Sequence, residues 1–535
     1  MEIEDPSYYQ TNPLFGSAPL NRLISAWFHA PESNYIPITW NITTLLAEFT
    51  DSNPRAFHAF ALFLHLSNCV LAFFLLRRLR FSSTLSAIAV LIFSLHPLRV
   101  ESVAWASSIK GLLASLFALG ALVAQCSPTL RFRSSLVILL LLASLLSKQT
   151  LLLLPIIHFL ISLAHSEHRL KKFSYIALTI LSLLAVFAAS KANSENTLVA
   201  INQLQHGSFA PLKALASFGH YLKLQLLPFP LIPEYPSTRH PGLVLLGVIG
   251  LIPLIPLLKN LFLSKPQPLW LVFFVGFLIL LSPTLGLIPT PLEFTADRLT
   301  YLSSLFFWSG LLLLLSKIPF PTVNERVQKF APLFSLLLLA PFLFLTHRQI
   351  KIWKSDTLLT ESILHNYPNH FLANLHLANK LGKQGKFTEA LPYAQILTRE
   401  HPHRYGGWKT FSEINIHLGQ PEVVIQSLDQ RLTHSEPITP ELYLLRGDPL
   451  RALGRFEDAL ETIEQAEANG MDSLTCHYFK ATTYLEAKNI TKAQEEISKA
   501  LELSPHNSRV LTLRAKIPSQ ALAPQRRLPH RSPTF

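Results

Sequence analysis

Four short stretches of this chain carry side chains whose types and spacing could do chemistry. Glu4 and Asp5 are adjacent carboxylates, and such neighbours raise one another's pKa, which keeps one of them able to take a proton near neutrality. From His96 to Ala124 an apolar run breaks off at His96-Pro97 into a polar segment holding an acid, Glu101, and a base, Lys110, before the next apolar run begins. A charged group between two helices of membrane length is costly to keep and is usually kept for a reason. Lys148 interrupts a third apolar stretch, and Asp297-Arg298 follows a fourth. A guanidinium fork binds two phosphate oxygens at once and does not lose its charge, and a neighbouring carboxylate can orient it. Two plainer readings stand beside these: Glu4-Asp5 as an acidic, frayed terminus, and Asp297-Arg298 as an ion pair topping a helix at a membrane interface.

The elements that must position these residues come in two kinds. Of 535 residues, the first 346 hold nearly all the long Leu, Ile, Phe and Val runs, and the last ~190 read as a water-soluble helical protein. The formal net charge is +13, but the basic residues cluster beside apolar segments as topology signals do, so nucleic acid is not expected as a partner. Cys69, Cys126 and Cys476 stand far apart, which excludes a disulfide framework and assigns no metal site; whether a divalent ion takes part is left open. No glycine-rich phosphate loop and no cofactor motif is present, and no signal peptide is expected from the polar opening.

Taken in order, 21–30 reads as a short amphipathic helix on a membrane surface or in a core. Ala56 to Leu76 is the first clear span, closed by Arg77, Arg78 and Arg80 on the cytoplasmic side. Further spans are expected at 84–95, 112–126, 175–189, 242–258, 269–288, 302–315 and 330–345. Ser134 to Ala164 is either two short spans meeting at Lys148 or one long tilted span. The polar stretch Lys191 to His240 is expected to be external and partly interfacial. This parity puts the short basic loops inside and the candidate chemistry outside.

The sequence HPLRVESVAW, followed by Lys110 and Leu112-Leu113-Ala114, resembles the C-type membrane glycosyltransferases that carry tetratricopeptide repeats. That family is similar to the transmembrane O-mannosyltransferases that modify cadherins and to their bacterial relatives. The opening Glu4-Asp5-Pro6…Tyr8…Asn12-Pro13, the stretch HYLKLQLLPFPLIPEYP and TADRLTY (295–301) resemble further motifs of the same family, and NYIPITW (34–40) resembles its tryptophan-proline turn, which implies a turn there before the next span. The resemblance implies a polyprenyl-phosphate-linked sugar, mannose among the candidates, as donor and hydroxyl groups of extracytoplasmic protein as acceptor. Asp5 or Glu4 would be the catalytic base; Arg298, Lys148 and Lys110 would bind the donor phosphate; Asp297, His96, Glu101 and Tyr301 would support them. The chain departs from the family pattern at Glu4, at Arg99 in place of His, and at Ser108-Ile109-Lys110-Gly111, where an arginine and an acid are replaced. The family's first helix has no counterpart before Glu4.

Beyond Trp353 the period changes. Ala390, Val424, Ala459 and Ala493 stand at intervals of 34, 35 and 34, and Gly385, Gly419 and Gly454 precede the first three. This is the tetratricopeptide signature, in which glycine allows the turn between helices and the small residue lets them approach. The expected fold class is therefore all-α: a polytopic membrane bundle of about 10 spans, lacking the first family helix, followed by an α-solenoid of about four repeats. The expected division is 1–55 as an extracytoplasmic first loop, 56–346 as the multi-span domain, 347–370 as linker, 371–515 as repeats and 516–535 as a disordered basic tail. The expected location is the cell (inner) membrane, with lipid around the bundle and the repeats outside, presenting a protein or peptide acceptor. A catalytically inactive, membrane-anchored repeat scaffold for protein–protein interaction is the alternative.

Overall fold

The computed structural model describes residues 23–28, 35–165, 169–192, 210–235, 240–256, 259, 268–286, 295–317, 325–433, 439–505 and 507–516. Every regular element among them is helical, and Tyr235 and Thr295 form one isolated antiparallel bridge. The chain divides into two compact units, Met1–Ser362 and Ile363–Phe535.

In the first unit, helix α1 (Pro37–Phe49) starts with proline in its first turn, where no backbone N–H is needed. It stands where a turn was expected. Beside Trp40 its buried face carries Thr39, Thr43 and Thr44, β-branched residues that weaken the helical signal. Thr39 Oγ1 donates to the Ser147 carbonyl at 2.9 Å, and Gln149 Nε2 to that of Tyr35 at 2.8 Å, so tertiary bonds hold the element. Helix α2 (Pro54–Arg78) is capped by Asn53, which accepts from the Arg55 N–H at 3.0 Å, and it ends on Arg77 and Arg78. One of its faces packs inward through Phe57, Ala61, Leu64 and Asn68, whereas Leu62, Leu66, Val70 and Phe74, four residues apart, are 49–56% exposed. An apolar stripe of that size needs an apolar neighbour.

Helix α3 (Ser83–Leu95), capped by Ser82, ends at His96-Pro97. The short α4 (Arg99–Ala104) and a turn lead into α5 (Ile109–Gln125). Helix α6 (Arg133–Ser147) breaks at Lys148, whose extended backbone hands over to a 3₁₀ turn, Gln149–Leu151, and then to α7 (Leu154–Ala164). The single long helix considered for this region is thus corrected to two. Pro155 supplies part of the reason, since it cannot donate the i→i−4 bond that would continue α6. Helix α8 (Lys172–Ala192) follows, with Ile176, Ile180, Leu183 and Phe187 exposed.

Within the polar stretch expected to be external lies α9 (Ala210–Leu226), a 17-residue helix packed on α10 (Pro241–Gly250). Ala214, Phe218, Tyr221, Leu222 and Gln225 are among its buried residues and fall at helical spacing, but Lys213, His220 and Lys223 lower the average hydropathy enough to hide it. Helix α11 (Leu269–Leu281), a 3₁₀ turn at Asp297–Thr300, α12 (Tyr301–Leu315) and α13 (Glu325–Ile352) complete the unit. Residues 347–370, expected as linker, carry the end of α13 and another helix, α14 (Asp356–Asn366). Among the described residues Pro54–Arg78, Ala106–Gln125 and Asp297–Leu315 are long and apolar enough to cross a bilayer, and six shorter apolar helices accompany them.

The second unit stacks helix pairs: α15 (Phe371–Lys383) with α16 (Phe387–Glu400), α17 (Tyr405–His417) with α18 (Pro421–Leu432), α19 (Pro440–Ala452) with α20 (Phe456–Ala468), and α21 (Ser473–Glu486) with α22 (Ile490–Leu503). A last helix, α23 (Ser508–Ala515), covers the end. Gly385, Gly419 and Gly454 make the turns within pairs at φ of 71–75°, and Lys488 takes the same left-handed conformation in the fourth. Ala390, Val424, Ala459 and Ala493 are all fully buried. Ala459→Trp should therefore force the helices apart at a cost of about 1–3 kcal/mol, seen as a lower melting temperature of the second unit; an unchanged melting curve would remove the small-residue argument.

A buried ion-pair network adds a pH dependence. Burial pushes the Glu496 carboxyl up, but hydrogen bonds from His477 at 2.7 Å and Lys499 at 3.0 Å outweigh it and bring it below the usual range. A depressed folded pKa contributes stability that is present above the unfolded carboxylate value and lost as pH falls through the folded one. The repeats should consequently lose stability in acid more steeply than a Glu496→Gln variant, as acid unfolding followed by circular dichroism will register.

Candidate active site

Polar residues from distant parts of the first unit converge on Arg298. The 3₁₀ turn Asp297–Thr300 presents it, and its Nη1 donates to Glu101 Oε1 at 2.6 Å and to the Pro233 carbonyl at 3.0 Å. The Arg298 backbone N–H donates to Glu101 Oε2 at 3.1 Å, so one carboxylate holds both side chain and backbone. The guanidinium lies 4.7 Å above the centre of the Trp105 ring, and Glu234 sits 3.9 Å from Nη2. Glu101 is 1% exposed. Burial pushes its carboxyl up, while Arg298 and, more weakly, Lys148 pull it back.

Asp297 is aligned from the other side. The Tyr235 hydroxyl donates to Asp297 Oδ1 at 2.8 Å, the Tyr235 N–H to the Thr295 carbonyl at 2.9 Å, and the Ala296 N–H to the Tyr221 hydroxyl at 3.3 Å. The two motif-like stretches ending in Glu234-Tyr235 and Asp297-Arg298 are thereby stitched together. Behind them Arg99, 2% exposed, donates through Nη2 to Thr300 Oγ1 at 2.8 Å and Ser304 Oγ at 2.9 Å, with Phe93 and Tyr301 rings beneath it. Gln225 Nε2 donates to the same Ser304 Oγ at 2.7 Å.

His96 completes this chain of bonds. Its Nε2–H donates to the Gln225 carbonyl at 3.0 Å and its Nδ1 accepts the Leu98 N–H at 3.3 Å, an arrangement that only the neutral ring satisfies. Burial, aided by the Arg99 charge, pushes its pKa down to about 3. His96 therefore ties α9 to the loop after α3 and does not exchange protons near neutrality. Tyr301 is anchored by His65 and Asn68, its hydroxyl 2.8 Å from His65 Nδ1 and 3.3 Å from Asn68 Nδ2.

Lys148 stands opposite. It shares a cavity with Gly111, Ser115, Arg298, Tyr301 and Ser303, whose volume of about 20 Å³ is roughly that of one water molecule. Burial, with Lys110 and Arg298 near it, pushes the Lys148 ammonium down to about 7 against the attraction of Glu101. Of the residues named from sequence, Glu101, Lys148, Asp297, Arg298 and Tyr301 are thus brought together, Lys110 acts on Lys148 through its charge, and His96 sits one layer behind. Glu4 and Asp5 lie outside the described residues. Sequence reasoning missed Trp105, Tyr221, Gln225, Tyr235 and the inward role of Arg99; Trp105, Tyr221, Gln225 and Tyr235 all lie within the quoted motifs, but that Gln225 faces inward follows only from the buried face of α9.

Comparison with known proteins bears on the second unit. Residues 450–517 match the family described as Tetratricopeptide repeat. Among solved structures the chain is similar to a thermophilic TPR protein of Thermus thermophilus, at 24% identity over 34% of this chain and 94% of that one, with a TM-score of 0.26. It is also similar to the Cut9–Hcn1 hetero-tetramer of the APC/C, at 14% identity over 90% of this chain and 92% of that one, with a TM-score of 0.26. No curated protein matches. The matched family and the four stacked helix pairs together identify the C-terminal unit as tetratricopeptide repeats, an architecture that serves protein–protein interaction.

Proposed function

We propose that this chain is an integral membrane glycosyltransferase of the C type, moving a sugar from a polyprenyl-phosphate donor to hydroxyl groups of extracytoplasmic protein. Its first unit is then a bundle of about ten spans in the cell (inner) membrane, with the exposed apolar stripes of α2 and α8 against lipid and the repeats outside, presenting the acceptor. The observation that carries this reading is the convergence of Arg298, held by Glu101, and Lys148, from three separate stretches, with Arg298 and Lys148 lining one cavity beside α5 and α12. In the step, the acceptor oxygen bonds to the anomeric carbon as the carbon–oxygen bond to phosphate breaks. The proton passes to Asp5 or Glu4, and Arg298 and Lys148 receive the charge that builds on the departing lipid phosphate.

A second reading, a catalytically inactive repeat scaffold, is favoured by one observation: the Arg298 fork is already engaged by Glu101 and Pro233, and the cavity admits about one water. One assay separates the two. Transfer of labelled sugar from polyprenyl-phosphate donor to extracytoplasmic protein should be found in membranes carrying this chain. It should fall by about 2 kcal/mol of transition-state stabilisation in Arg298→Lys, which keeps charge but loses the fork, and be abolished in Asp5→Asn. Full activity in both variants would remove these residues from the mechanism, and no transfer by the wild type would establish the scaffold.

A further inference from the structure

The segments that carry the site are braced by one helix. Phe342, Thr346, Gln349 and Trp353 follow one another at intervals of four, three and four residues, which puts them on one stripe of α13 and the turn that closes it. The Phe342 ring lies 4.6 Å from that of His96 between centroids, and Thr346 Oγ1 donates to the Leu95 carbonyl at 2.7 Å. Gln349 Nε2 donates to the Leu231 carbonyl at 3.4 Å, and the Trp353 ring lies 6.0 Å from that of Trp105. The stripe thus reaches the loop after α3, the segment that leads to Glu234-Tyr235 and the residue that closes α4.

Trp353 is the member of the stripe that bears on the chemistry. A tryptophan just past the end of a span is ordinarily an interfacial anchor, its ring among lipid headgroups. This one is 6% exposed and Trp105 is 3% exposed, so both rings are turned into the protein. The last helical bond fixes the Trp353 backbone, its N–H donating to the Gln349 carbonyl at 3.0 Å. Trp105 in turn carries the Arg298 guanidinium 4.7 Å from its ring centre. Glu101 holds Nη1, while the ring supports the guanidinium from its own face, and a ring places a cation only as well as the ring itself is fixed. We propose that Trp353 is a positioning residue for Arg298: packed against Trp105, it holds that ring where the guanidinium must lie to receive the charge of the departing lipid phosphate. This rests on the reading of Arg298 given above. Trp353 itself meets no reacting atom, and its effect passes through Trp105 and Arg298.

The experiment uses the full chain in nanodiscs and two readouts. Transfer of labelled mannose from polyprenyl-phosphate mannose to extracytoplasmic protein gives kcat and the donor KM. Phenylglyoxal, which modifies guanidinium groups, followed by peptide mass spectrometry gives the reactivity of Arg298, with the buried Arg99 as internal control. Trp353→Ala should lower kcat about tenfold or more with the donor KM within about twofold, and Trp353→Phe, which keeps a ring, should restore most of the rate. Arg298→Lys/Trp353→Ala should be little slower than Arg298→Lys alone, because both changes act on one group. In Trp353→Ala phenylglyoxal should modify Arg298 severalfold faster and Arg99 no faster; Trp353→Leu, which keeps an apolar side chain, gives the same readings if the alanine variant does not fold. Losses that add in the double variant, or faster modification of Arg99 and Arg298 alike, would show a merely structural role and overturn the inference, as would unchanged kcat and reactivity in Trp353→Ala. If the wild type transfers no sugar, the sugar-transfer reading fails and the reactivities decide alone: a faster Arg298 beside an unmoved Arg99 upholds the positioning by Trp353, and any other pattern overturns it.

Discussion

Glu101→Ala should lower the stability of the first unit by about 3–5 kcal/mol, the largest loss expected from any single polar truncation in this chain. Arg298 keeps its charge, but the carboxylate that accepts both its Nη1 at 2.6 Å and its backbone N–H at 3.1 Å is gone. The Pro233 carbonyl, the Trp105 face and Glu234 at 3.9 Å also lie against the guanidinium, but none of them takes both its Nη1 and its backbone N–H, in a site where Arg298 is 14% exposed. Taking the closest carboxylate from a buried charge costs more than the pair itself is worth, so the companion Glu101→Ala/Arg298→Met should recover most of the loss. Thermal unfolding of the purified chain in detergent will show both effects. Equal melting temperatures for wild type and Glu101→Ala would mean the pair is open to solvent, contrary to the geometry. The double variant serves the functional question as well: folded, yet without the guanidinium, it should transfer no sugar.

Gly219→Ala should be nearly as damaging, although helix propensity alone predicts the opposite. Replacing glycine by alanine inside a helix ordinarily gains up to about 1 kcal/mol. Here the crossing of α9 and α10 leaves no room: a Cβ on Gly219 would collide with the Leu243 carbonyl, and one on Gly247 with that of Leu215. Backbone cannot rotate aside as a side chain does, so the helices must separate, at a cost of about 1–3 kcal/mol or more that exceeds the propensity gain. That separation also draws Gln225 away from Ser304 and His96, and Tyr221 away from Ala296, loosening the turn that presents Arg298. Gly120→Ala is the control, because its Cβ would meet only the Leu140 side chain at 3.5 Å, an ordinary contact, and it should be neutral or mildly stabilising. Detergent melting curves for the two variants should move in different directions; a Gly219→Ala protein as stable as wild type would show that α9 and α10 do not cross closely.

What the sequence determined by itself is what local physics decides. Asn53 and Ser82 cap helices and Pro97 ends the polar turn after one, because caps and proline act within a few residues of where they stand. The helix breaks at Lys148 as its polar triplet signalled. The spacing of 34, 35 and 34 residues placed four small residues at the centre of the repeats, where all are fully buried, since a solenoid repeats its neighbours' contacts at the period of its sequence. Helices α1 and α9 were not legible in that way: threonines weaken one signal and lysines the other, and both helices are settled by what they pack against. The site was legible only as a set of residues. Glu101 and Arg298 are 197 positions apart, and Tyr235 and Asp297 are 62 apart; periodicity and capping carry no information over such distances. Which acid meets which base follows from the packing of α4, α5, α9 and α12, because only there do desolvation and distance choose between partners that the chain presents without order.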